Sequence, residues 1–163
     1  MRPALNFALL LLLAVPLYAQ EDTVHGRMVA LIRTTTDQAE ASQILNIAVA
    51  AHDASVMLAG LQNPDKGVQA LATKIIRKLS RDLSAPLWME ALNTDSLWSD
   101  PAVDKGTLSE MLKAGVREDY GVDATGVNLS DTAQRADLER KVLRAFHAAQ
   151  GKAGTGMPIP ANP

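Results

Sequence analysis

The stretch Val56–Leu83, VMLAGLQNPDKGVQALATKIIRKLSRDL, constrains the fold more than any other part of the chain. A short apolar helix runs to Gln62 and stops at Asn63-Pro64-Asp65. Those three residues make a turn, because Asn and Asp bond their own backbone and Pro presets φ. A second, longer helix is expected beyond the turn. On it Val68, Leu71, Ala72, Ile75, Ile76 and Leu79 recur at spacings of three and four, which places them on one face. Lys74, Arg77, Lys78 and Arg81 fall at i, i+3, i+4 and i+7 on the opposite face. The unit is a helical hairpin with an apolar inner side and a basic outer side, and the rest of the chain reads as weaker versions of it.

Met1–Ala19 reads as a secretory signal peptide. Arg2 supplies a positive start, Ala8–Val15 is an uninterrupted apolar run, Pro16 breaks it and Ala19 is small at the cleavage edge. The run is too short to cross a bilayer, which needs about 20 residues. An uncleaved N-terminal anchor is the alternative. Cleavage removes Arg2, so Lys+Arg falls from 16 to 15 against 18 Asp+Glu, and the mature net charge is −3. Such a chain has no general attraction to nucleic acid. With no Cys, it has no disulfides, thiolate metal sites or Cys nucleophiles.

Residues 20–150 have the length of one domain. Aromatic residues after the signal are Trp88, Trp98, Tyr120 and Phe146 alone, so small and aliphatic side chains must fill the core. Ala- and Leu-rich segments with few β-branched residues favour helices over strands. The expected fold is all-α: stacked antiparallel hairpins, as a short solenoid or an irregular bundle, with no sheet.

The first mature helix is expected over Thr23–Arg33 and the second up to Ala51, capped by Thr36 or Asp37. Asp53 caps the short helix that opens the hairpin. Ser84 and Pro86 mark the start of the next helix, Asn93–Ser99 a turn, and Asp100-Pro101 another start. Gly106 and Gly115 weaken the helix that runs to Tyr120, and Ser130 caps the last one. Residues 151–163, with three glycines and three prolines, read as a disordered tail.

The residues Leu58, Leu61, Pro64, Asp65, Val68, Ala72, Ile75 and Leu79 resemble a HEAT or armadillo-type helical repeat. Gln69 stands where that family often has Arg. A looser copy spans Val24–Ala51, with Asp37 in the place of Asp65. Further on, Asp104-Lys105-Gly106 echoes Asp65-Lys66-Gly67 at a longer interval, so the period is uneven. The resemblance implies stacked hairpins whose second helices line a concave, partner-binding surface.

The sequence has no G-x-S-x-G, H-E-x-x-H, P-loop or G-x-G-x-x-G. His25, His52 and His147 lack metal-ligand spacing, so neither a metal nor another cofactor is expected. Lys74, Arg77, Lys78 and Arg81 repel one another and invite an anion. No aromatic residues interleave with them, which disfavours single-stranded nucleic acid. Trp98, in a polar turn, is the other candidate binding residue, or else folds back onto the core. The expectation is a non-catalytic interaction module, exported to the periplasm or beyond, that binds another protein, acidic in character. A small helical hydrolase or ligand-binding protein with a site formed only in three dimensions is the alternative. Contact with an envelope surface through the basic residues is a third reading. Oligomeric state is left open.

Overall fold

The computed structural model describes the backbone from Leu17 to Gly154 and the side chains from Val24 to Gln150. Residues 1–16 and 155–163, which carry most of the signal-peptide and tail readings, lie outside the described residues. The described residues form eight helices: α1 Leu17–Thr34, α2 Gln38–Ala50, α3 Ala54–Leu61, α4 Lys66–Ile76, α5 Arg81–Asn93, α6 Asp95–Ser99, α7 Lys105–Tyr120 and α8 Thr132–Gly154. The fold is all-α, with no strand among the described residues.

Three hairpins, α1–α2, α3–α4 and α5–α7, stack side by side. Helices α1, α3, α5 and α8 pack each against the next and form one layer. On the other side α2 packs against α4, while α7 leans on α5 and α8. Helix α3 is the centre. Its run Val56–Leu61 is buried all round, which is why eight residues carry six apolar or small ones in sequence. Gly60 lets α4 approach closely: a Cβ there would lie 3.0 Å from the Ala72 Cβ and 3.3 Å from Leu45.

Aspartates start most of the helices. Asp37, Asp53, Asp65 and Asp104 each accept hydrogen bonds from amides in the first turn of α2, α3, α4 and α7. Such a cap contributes about 1 kcal/mol. For α8 the capping side chain is Asp131, bonded to the amides of Ala133 and Gln134, and not Ser130. Helix α7 begins at Lys105 behind Asp104, after a loop that contains Asp100-Pro101. Helix α5 begins at Arg81, so Pro86 lies inside it on an exposed position. Asn93–Ser99 is no simple turn but holds α6.

The longer helix expected after Asp65 ends early. Helix α4 stops at Ile76, Lys78 and Leu79 close the end with bonds back to Ile75 and Ile76, and the Ser80 carbonyl opens α5. The chain reverses here because Leu87 and Trp88 must return to the core, where both are buried. A straight continuation would carry them into water.

Buried amide side chains tie the hairpins together along their turns. Asn63 is fully buried and donates to the carbonyls of Ile32 and Thr35, both at 2.8 Å, while its Oδ1 accepts from the Asp65 amide at 2.7 Å. Gln69 donates to the Leu61 carbonyl at 3.1 Å and to the Ala102 carbonyl, thereby joining the second hairpin to the third. Gln62 accepts from Arg33 and donates to Asp100 at 3.4 Å. Replacement of Asn63 by Ala strands two carbonyls and one amide, and should lower unfolding free energy by about 2–4 kcal/mol. Urea denaturation measures this, and the exposed neighbour Pro64→Ala should change it by less than about 1 kcal/mol.

Candidate functional site

Helices α4 and α7 stand apart and leave a groove of about 540 Å³ between them. Its wall on the α4 side is Lys66, Gln69, Thr73, Lys74, Arg77 and Lys78. The α7 side offers Asp104, Thr107, Leu108 and Met111. Lys74 is exposed on the last turn of α4, Arg77 is its C-cap, and Lys78 follows in the turn. All three sit where the helix macrodipole favours cations. With Lys66, four cations therefore face one carboxylate. That carboxylate, Asp104, is committed to capping α7: Thr107 donates to it from its amide at 3.1 Å and from its hydroxyl at 2.8 Å. These two bonds hold its pKa below the usual carboxylate range, with Lys66 adding a smaller attraction. No ion pair involving Lys66, Lys74, Arg77 or Lys78 occurs among the described residues. Lys66 is held by the Gln69 and Ala102 oxygens at 3.0 and 3.3 Å.

Arg81 does not belong to this set. The break after Ile76 moves it onto α5, where its guanidinium donates to the main-chain carbonyl of Asp119 at the end of α7. Trp98 is not a surface residue. It is 4% exposed, its Nε1 donates to the Ala91 carbonyl at 2.8 Å, and the Arg135 guanidinium lies 5.7 Å from its ring centre. It is a core residue under α8, closed to a partner.

A second polar cluster joins α5 to α7. Asp119 is 4% exposed, and its Oδ2 accepts from the Ser84 hydroxyl at 2.6 Å and the Trp88 indole at 3.0 Å. Trp88 packs directly on Gly115, where a Cβ would fall 2.1 Å from the indole nitrogen. Gly115 is thus a required gap, not a weakness of the helix. A serine bonded directly to a carboxylate, with no imidazole between, lacks the proton relay of triad chemistry. The cluster locks two helices together. The signal that marks Asp119 in the sequence is its register: a carboxylate in line with Leu108, Leu112 and Val116 on the apolar stripe of α7.

The histidines are spread out. His25 Nδ1 lies 2.7 Å from Asp53 Oδ2, and His147 meets the Phe146 ring edge-on at 5.8 Å. No group of three or more His, Cys, Asp or Glu residues is arranged to hold a metal among the described residues. Among the same residues no helix is long and apolar enough to cross a membrane.

No protein-family model matches the chain, and no curated protein or solved structure does so either.

Tyr120 closes the α5–α7 contact by donating its hydroxyl to the Ala85 carbonyl at 2.7 Å. Burial raises its pKa above the ordinary 10.0, and the Asp119 charge adds to this. The stability owed to the neutral phenol is complete below 10.0 and is lost as pH rises through the raised value. Absorbance titration of phenolate should show a component above 10.0 that vanishes in Tyr120→Phe.

Proposed function

We propose that the protein is an exported, non-catalytic helical interaction module, and that the α4–α7 groove binds an acidic segment of a partner protein. The observation that carries this reading is the excess of positive charge: Lys66, Lys74, Arg77 and Lys78 line one groove with a single carboxylate, Asp104, which caps α7. A groove that gathers cations between low-dielectric walls raises its positive potential and draws in anions. The apolar residues Leu61, Val103 and Met111 give the floor, and the cations form the rim.

Two features of the sequence support the wider reading. The HEAT-type pattern of Val56–Leu83 implies that second helices of the hairpins face partners, and α4 is such a helix. The apolar run and small-residue edge of Met1–Ala19 support export.

An oligo-glutamate peptide is the direct probe. Arg77→Glu combined with Lys78→Glu should weaken its binding at least about tenfold, equal to about 1.4 kcal/mol, by fluorescence anisotropy at low salt. Both residues are exposed, and reversal against the α4 macrodipole costs about 0.3–1 kcal/mol each, so stability should fall by no more than about 2 kcal/mol. Raising salt toward about 1 M, where the screening length falls to about 3 Å, should weaken the parent's binding. Equal binding by parent and variant would remove the groove from the proposal.

A further inference from the structure

A second cleft, of about 900 Å³, lies between α5, the end of α7 and the C-terminal half of α8. It shares no lining residue with the α4–α7 groove. Helices α5 and α8 run antiparallel along it. Arg135, near the start of α8, bonds Asp95 just beyond α5, while Tyr120, which meets Phe146 edge to face, bonds the Ala85 carbonyl near the start of α5. Pro86, Met89, Tyr120, Leu143 and Phe146 make the floor apolar. On α8 Leu138 and Val142 are buried, but Leu143 and Phe146 remain 37% and 43% exposed. Spaced i and i+3, these two lie on one side of the helix. An exposed apolar patch with a polar rim marks an interaction site.

We infer that this face joins two copies of the chain, with α8 of each copy seated against the cleft of the other. The charges around the cleft argue for this occupant, because they are divided between its two walls. Asp82 and Glu90 line the α5 side, both exposed, and neither is in an ion pair among the described residues. The other charges of the lining are engaged within the chain: Arg81 donates to the Asp119 main-chain carbonyl, and the buried Asp119 carboxylate accepts from Ser84 and Trp88. On α8 the exposed residues Arg144 and His147 directly follow Leu143 and Phe146. Arg140 and Lys141 are paired with Asp137, whereas Arg144 has no ion pair among the described residues. A two-fold contact requires a patch that complements itself. Here an apolar strip lies between an acidic edge and a basic one. A two-fold axis across Leu143 and Phe146 sets strip on strip and brings Arg144 toward the partner's Asp82 and Glu90. A neutral apolar ligand would fill the floor but leave Asp82, Glu90 and Arg144 without counter-charges.

Sedimentation equilibrium of the full chain over a wide concentration range tests this. The parent should show a reversible monomer–dimer equilibrium. Phe146→Glu should raise the dimer Kd at least about tenfold. Arg144→Glu should also weaken the dimer, and so should Asp82→Lys combined with Glu90→Lys. All three charge reversals in one chain should bring the Kd back toward the parent's, a recovery that damage to the fold cannot produce. A chain that stays monomeric at every concentration would overturn the inference and leave the cleft to another ligand. So would a dimer that Phe146→Glu and Arg144→Glu leave unchanged, which assigns the contact to a different face. A combined variant no tighter than its parts would overturn it as well.

Discussion

One buried carboxamide holds the stack in register. Asn63 sits at the turn between α3 and α4, fully withdrawn from water, and satisfies the carbonyls of Ile32 and Thr35 at the end of α1. Ile32 lies in the last turn of α1, whose carbonyls have no partner within their own helix, and Thr35 follows it directly. The same side chain accepts the Asp65 amide, which sets the turn and positions Asp65 to cap α4. Loss of this residue therefore acts on two hairpins at once. Gln62 and Gln69 extend the tie toward the third, through Asp100 and Ala102. Apolar burial supplies the driving force for stacking, but it is not directional. The amides supply direction.

The open groove follows from the same arrangement. Gln69 and Lys66 hold the loop at Ala102 against the start of α4. Helix α7 then leaves at Lys105 and packs on α5 and α8, with little contact to α4. The cations of α4 therefore line a gap. Asp119, bonded to Ser84 and Trp88, ties α7, the far wall of the groove, to α5.

The helical periodicity of Val56–Ile76, the turn at Asn63-Pro64-Asp65 and the caps at Asp53 and Asp65 are legible in the sequence, because each is a local signal, while Thr36 and Asp37 compete for the cap that Asp37 takes. The break after Ile76 is not. Arg77, Lys78 and Leu79 are good helix formers, and only the packing of Leu87 and Trp88 requires the chain to reverse. That one boundary splits Arg81 from the other three cations. Ser84, Ser130 and Asp100 all look like cap residues, yet the starts lie at Arg81, Thr132 and Lys105, since several adjacent polar residues compete for each cap. Trp98 resembles a surface anchor in sequence because its neighbours are polar. In the structure Asp95, Ser96 and Ser99 face water while Trp98 turns inward under Arg135. Lys66 and Asp104 lie far apart in the chain and join the groove only through the fold.

The positive charge gathered between α4 and α7 is the proposed binding surface. Amide chemical-shift mapping tests it most directly, with the full chain titrated by an acidic peptide. Shifts should be confined to the groove, at Thr73, Lys74, Arg77 and Lys78 on one side and Thr107 and Met111 on the other. Shifts scattered over all basic residues, including Arg140 and Lys141 on α8, or no shifts in the groove, would contradict it.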